Sequence, residues 1–449
     1  MHLQLDVAWI RIHSFLSQPT PLLLANRYLF SLLQHVSIHG YLTERRMTWM
    51  LARMVEAWED ARSLALCCNY ASPRLHEAAV VVSRFRALRS CTIWGIDSHP
   101  LAQCVLRSVG SGSWAHLHHL SLDLSDPAIN ASHIAALSSG GAAHLRRLLL
   151  RLHRRTVSPS MGMAIGGLRY LPELQYLCLY LVAVRASIGA VPAALEARHA
   201  PCLRKLVLDL CGAQIPPGDV DCIALLSRGQ FRCRRTCPLR SADSVDRLQD
   251  LTVTTWGMGR GNRMGYVMGA VLQCELPEMR ALRVDVGGNR LTDDGIRLLL
   301  PVWTVPPPRL RVVRLGLQGS GITAAGARAL VQLCSLPSLE VLGVFLGYCL
   351  LKDAGVAVLS ELAGCKLLRE LELDLSGNDI GDDGVNHLVA WFAGSTSLRT
   401  VCLHLKGNAV TDCGAEQLVH CRSRLDQMLL DLRQNKVSTA GQSTRLRLP

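Results

Sequence analysis

Several stretches of this 449-residue sequence pair residue type with spacing in ways that invite chemistry. Cys233 and Cys237, with Cys222 nearby, have the spacing of metal-touching thiols, but zinc sites usually gather two such pairs, so a fortuitous pair in a loop is expected. His116, His118 and His119 open an alternating apolar run, where outward histidines are ordinary surface residues, and no carboxylate converges on them. Gly257, Gly259, Gly261 and Gly265 follow a strand pattern and precede a helical one, as a phosphate loop would. They miss the G-x-G-x-x-G spacing and are expected to form a structural turn. Arg146, Arg147, Arg151, Arg154 and Arg155, together with Arg228, Arg232, Arg234, Arg235 and Arg240, have the chemistry to grip phosphates. Without a nucleic-acid motif or interleaved aromatics they read as a solvated rim, so nucleic acid is not an expected partner. No nucleophile elbow, HExxH or paired CxxC occurs. The expectation is a protein that is no enzyme, with no catalytic residue, metal or cofactor.

The elements that must carry any site follow from Leu368 to Leu388, LRELELDLSGNDIGDDGVNHL. Leu368, Leu371, Leu373 and Leu375 alternate at strand period, Asn378 and Ile380 follow, and Gly384 opens a helical pattern through Val385, Leu388 and Val389. The frame recurs, with first leucines or their equivalents at Leu88, Leu117, Leu145, Leu174, Leu203, Leu248, Met279, Leu310, Leu339, Leu368, Leu398 and Leu425. One copy cannot bury its own apolar face, so copies must stack.

Twelve repeats with a period near 29 residues resemble the ribonuclease-inhibitor-like class of leucine-rich repeat proteins over about four-fifths of the chain. The resemblance implies an α/β fold: a curved solenoid with parallel strands on its concave face and helices on its convex face, over residues 87–449. Asn289, Ser320, Cys349, Asn378, Asn408 and Asn435 match the family's ladder of small polar side chains, whereas Pro127, Val184 and Ala213 depart from it. Glycine recurs sixteen residues after the first leucine, as Gly295, Gly326, Gly355, Gly384, Gly414 and Gly441. Asp293, Asp353, Asp382 and Asp412 precede most of these glycines and are expected to cap the first turn of the helix they begin. The period is broken once, near 227–247, where an inserted basic loop is expected. The last repeat reads as uncapped, its edge either meeting another chain or fraying.

Residues 1–86 lack the frame and read as helices over about 5–17, 21–36, 43–68 and 73–86, an all-helical N-terminal cap. Within them Ile12, Ser14, Phe15, Leu16 and the run LLLANRYLFSLL also resemble a degenerate F-box, although Leu5-Asp6 stands where that family has Leu-Pro. That resemblance implies docking to the adaptor of a cullin-type ubiquitin ligase. A small-GTPase regulator is a further alternative, because a related repeat family activates small GTPases with a similar solenoid. Against it, that family typically bears an acidic C-terminal tail, whereas this chain ends with Arg445 and Arg447.

If the frame leucines point inward, the second, fourth and sixth residues after each first leucine face outward. This places Arg147, Arg151, Tyr176, Tyr180 and Lys205 in a basic and aromatic strip suited to binding a protein. Phe345 is added further on, and Glu370, Glu372 and Asp374 form an acidic strip. The bulk numbers agree with a large aliphatic core: 49% hydrophobic and 5% aromatic residues. A formal charge of +13 favours acidic partners. Seventeen cysteines scattered mostly singly imply a reduced compartment. No apolar run is long enough to span a membrane, so a cytoplasmic, or nuclear, non-catalytic scaffold binding a protein on its concave face is expected.

Overall fold

The computed structural model describes residues 35–38, 62–67, 82–85, 87–94, 99–138, 141–223, 247–272, 278–300, 306–421 and 424–438. Among the described residues, each period of the leucine frame from Leu88 to Leu398 makes a strand of the main sheet, a turn and a helical segment, and the strands pair in parallel. Two compact bodies result, the N-terminal one comprising Met1–Leu208 with Gln214–Asp219, the C-terminal one Asp209–Ala213 with Val220–Pro449.

In the N-terminal body the strands are β1 (His35–Ile38), β2 (Ser63–Cys67), β3 (Ser90–Trp94), β4 (His119–Asp123), β5 (Arg147–His153), β6 (Thr156–Val157), β7 (Tyr176–Val182), β8 (Arg185–Ala186) and β9 (Lys205–Asp209), of which the last residue, Asp209, belongs to the C-terminal body. The main sheet runs β1-β2-β3-β4-β5-β7-β9, and β6 and β8 pair separately. Helices Ala131–Ala135, Pro159–Gly166 and Ala190–Leu195 follow β4, β6 and β8. In the C-terminal body β10 (Asp250–Thr254), β11 (Ala281–Asp285), β12 (Val312–Gly316), β13 (Val341–Phe345), β14 (Glu370–Asp374), β15 (Thr400–His404) and β16 (Gln427–Asp431) pair in chain order. Each strand before the last is followed by a helix, from Asn262–Leu272 to Asp412–Cys421. No helix among the described residues is long and apolar enough to cross a membrane.

Two strands stand where the sequence reading places helix. Ser63–Cys67 lies inside 43–68 and pairs with β3, and His35–Ile38 overlaps the end of 21–36 and pairs with β2. The N-terminal segment is therefore not all helix. The frame continues upstream as Leu33 and Ala61, whose third and fifth successors are Val36 and Ile38, then Leu64 and Leu66. An alanine in the first position and serine, alanine and histidine between the apolar residues dilute the pattern. The rest of residues 1–61, and residues 224–246 with almost all of the basic insertion, lie outside the described residues, as do Cys233, Cys237 and Gly441.

The core is the frame itself: Leu368, Leu371, Leu373 and Leu375 are all buried. After each strand the chain turns at the ninth residue from the first leucine. In ten successive repeats this residue adopts φ between 52° and 69°, glycine serving in six and Arg154, Ala183, Tyr348 and Gln434 in the others. The left-handed conformation costs a side-chain-bearing residue about 1 kcal/mol, which explains why glycine predominates.

The ladder position follows directly. Asn378 donates through Nδ2 to the carbonyls of Leu346 (2.8 Å) in the preceding repeat and Leu375 (3.1 Å) in its own. Asn408 bonds Leu375 and Leu405 in the same way, and its Oδ1 accepts from Asn378 N at 2.9 Å. In the repeat beginning at Leu145 the same position holds Arg155. Its guanidinium donates to the carbonyls of Leu124 (2.6 Å), Asp126 (3.0 Å) and Ile129 (2.7 Å) and is buried. Arg155 is thus a strut inside the fold, and the expectation that it joins a solvated rim is corrected.

The recurring aspartates also act differently from the sequence reading. Asp293 Oδ1 accepts from Thr323 N (2.8 Å), Asp353 Oδ1 from Gly381 N (2.8 Å) and Gly384 N (3.0 Å), and Asp382 Oδ1 from Thr411 N (2.9 Å). Each carboxylate holds the helix start of the following repeat, not its own. The following repeat's glycine supplies the room, because a Cβ at Gly326, Gly384 or Gly414 would collide with the Oδ1 of Asp293, Asp353 or Asp382. Aspartate and glycine form one inter-repeat joint.

Candidate functional site: the outward strand faces

Alternation puts the frame residues inward and alternate positions of each strand on the opposite face of the sheet, where Ser121, Asp123 and Cys178 are buried and Arg147 and Arg151 exposed. In the N-terminal body β5 alternates exposed Arg147, buried Leu148, half-buried Leu149, buried Leu150 and exposed Arg151. β7 does the same with half-buried Tyr176 and Tyr180 on either side of buried Cys178. The parallel register sets Arg147 beside Tyr176 and Arg151 beside Tyr180. Lys205 on β9 brings its ammonium over the Tyr176 ring at 5.7 Å, a cation–π contact. All five residues of the expected basic and aromatic strip therefore meet on three neighbouring strands.

The surroundings of this strip fix its charge. His119 lies in register with Arg147 and Asp123 with Arg151. Burial, and the neighbouring Arg147 guanidinium, hold the His119 imidazole below the usual histidine range. Asp123 is withdrawn from solvent at 6% exposure, its Oδ1 accepting from Ser125 N (3.1 Å) and Ser125 Oγ (2.5 Å). Neither Arg147 nor Arg151 has an ion-pair partner among the described residues. Trp94, at the sixth position after Leu88, is 44% exposed and donates from Nε1 to Ser121 Oγ at 2.8 Å. The same outward offset identifies it in the sequence, where the focus on β5, β7 and β9 passed it over.

The C-terminal body presents a different face. Arg283 pairs with Asp250 at 2.8 Å. Arg314 pairs with Glu372 at 3.2 Å, two strands away, and Gly343 on the intervening strand makes this possible, since a Cβ there would press on the arginine side chain. Of the expected acidic strip, Glu370 is exposed, Glu372 is neutralised by Arg314, and Asp374 Oδ1 accepts from Ser376 N at 3.0 Å. Asp285 and Asp431 make the same bond to the residue two further on, so the last-offset aspartate is a turn-holding device. Phe345 is half-buried, flanked in register by Gly316 and Asp374. Cys402 Sγ lies 3.3 Å from His404 Nε2, a contact the sequence reading did not anticipate. Burial, together with the Glu372 and Asp374 carboxylates, raises this thiol and disfavours a nucleophilic thiolate.

The glycine-rich stretch forms the turn after β10: Gly257, Gly259 and Gly261 all take positive φ, and Gly257 N and Gly261 N donate to the carbonyls of Gly287 and Asn289. These two amides are spent on the next repeat, and the phosphate-loop likeness goes no further.

Residues 371–388 match the family profile described as Leucine Rich repeat. No curated protein matches the chain. Among solved structures, an internalin from Listeria monocytogenes str. 4b F2365 is similar at 15% identity, covering 86% of this chain and 93% of that one, with a TM-score of 0.43. The Rad7 and Elc1 complex of yeast supplies another similar chain at 11% identity, covering 90% and 86%, with a TM-score of 0.45.

Proposed function

We propose that this chain, a leucine-rich repeat protein, is a non-catalytic binding scaffold that holds a protein partner on the outward strand face of its N-terminal body. The observation that carries the reading is the pairing in register of Arg147 with Tyr176 and Arg151 with Tyr180, arginine and tyrosine being the residue types that concentrate binding energy at interfaces. The rows lie on backbone locked by parallel pairing, so little order remains to be imposed on binding. Phe345, Glu370, Glu372 and Asp374 are a subsidiary contact region of the C-terminal body.

The test is capture of a partner first identified by crosslinking mass spectrometry in native cells. Tyr176→Ala with Tyr180→Ala is expected to weaken that partner's binding at least tenfold while leaving thermal unfolding nearly unchanged, and undiminished binding overturns the reading. A substrate-receptor role in a cullin-type ubiquitin ligase draws on the F-box resemblance of residues 4–36, of which residues 4–34 lie outside the described residues. There, loss of a co-purifying ligase adaptor on deletion of residues 1–40 is the expected result, and failure of the full-length chain to bring one down removes that role.

A further inference from the structure

We infer that the strand face of the N-terminal body receives an acidic, amphipathic α-helix lying across its strands. This rests on the reading that the face holds a protein partner and names the kind of segment held.

The first observation is uncompensated charge. Away from the face, the same body pairs Arg146 with Glu173 (3.1 Å) and Arg169 with Glu196 (3.1 Å). On the face of the C-terminal body, Arg283 and Arg314 are likewise paired. Arg147 and Arg151 are exposed and have no ion-pair partner among the described residues, and the nearest face carboxylate, Asp123, is buried and engaged with Ser125. Carboxylates from outside would complete them, and the bidentate geometry of guanidinium suits that role.

The second observation is spacing. Arg147 and Arg151 are four residues apart on one strand, about 13 Å, and Tyr176 and Tyr180 repeat that separation next door. Between them lie Leu149 and, on β9, Val207, both half-buried, with Cys178 fully buried between these two. A row of Arg147, Tyr176 and Lys205, and a row of Arg151 and Tyr180 that ends in half-buried Asp209, whose Oδ1 accepts from Cys211 N at 3.0 Å, thus flank an apolar centre. A helix with its side chains is about 10–12 Å wide, so one can rest its apolar stripe on the centre while acids on its two flanks reach Arg147 on one side and Arg151 on the other. Crossing from β4 to β9 takes about 14 Å, roughly ten helical residues. A nucleic-acid backbone would instead need cations continuing through the centre, where this face carries Ser121, Leu149, Cys178 and Val207.

The experiment uses the full chain and three fluorescent 18-residue peptides sharing a leucine stripe at helical spacing: one flanked by glutamates, one by lysines, and one glutamate peptide interrupted by two central prolines. The helical glutamate peptide is expected to bind at least tenfold more tightly than either other. Arg147→Glu with Arg151→Glu, both at exposed positions, should reverse the preference in favour of the lysine peptide while the circular dichroism spectrum stays unchanged. Equal binding of the three peptides, or a glutamate preference that survives the reversal, overturns the inference. If the tyrosine double variant still loses the cellular partner in that case, only the helix assignment falls. If a 20-nucleotide single-stranded RNA binds more tightly than the glutamate peptide in an Arg147- and Arg151-dependent manner, the protein-partner reading falls with it.

Discussion

Single side chains in this protein earn their place by what they do for the neighbouring repeat. Asn378 satisfies carbonyls of two repeats from a buried position, so Asn378→Ala leaves Leu346 O and Leu375 O short of a donor. We expect a loss of about 1–3 kcal/mol, measurable by denaturant unfolding. Arg155→Leu should cost at least as much, since three carbonyls lose their donor together. His119 supplies a pH dependence. Its folded pKa lies below that of the unfolded chain, so the unfolded state takes up a proton first as pH falls. Its contribution to stability is complete above the ordinary histidine value of about 6.5 and is lost as pH drops from there toward the folded pKa. Arg147→Gln should raise the His119 pKa in an NMR titration without restoring it fully, because burial, the larger cause, remains. The asparagine ladder was legible in the sequence because its residue type recurs in register. Arg155 was not, because a charged residue at a ladder position reads as surface until the carbonyls around it are known.

At the scale of elements, the strands were legible wherever four aliphatic residues alternate, as in Leu368 to Leu375. They were missed at His35–Ile38 and Ser63–Cys67, where the alternation survives in only two positions each. The aspartates were recognised, but their partner was misassigned. An N-cap is a local relation, visible in a short window, whereas Asp382 and Thr411 lie 29 residues apart and become neighbours only after stacking. The joint predicts a specific coupling: Gly414→Ala should cost about 1–3 kcal/mol by overpacking, and distinctly less in an Asp382→Ala background, where the colliding carboxylate is gone. Additivity in a double-mutant cycle of urea unfolding would disprove the joint.

For the whole molecule, the leucine frame and the charge distribution set different properties. Because repeats contact chiefly their neighbours, stability is close to a sum of local contributions. Leu371→Ala should cost about 2–5 kcal/mol as a core truncation and should speed amide exchange chiefly in β13, β14 and β15. The architecture could be read from a period; the candidate site could be read only as an offset, since which arginines lack a counter-charge depends on strand register and on the withdrawal of Asp123. The joint of carboxylate and glycine also constrains heredity. A duplication or loss of one full period leaves every carboxylate facing a pocket that fits it. Between one joint and the next, a cut of any other length strands an acid against a side chain unless a loop absorbs it, as the 45-residue step from Leu203 to Leu248 does, so lineages of this protein should differ within residues 293–414 chiefly by multiples of about 29 residues.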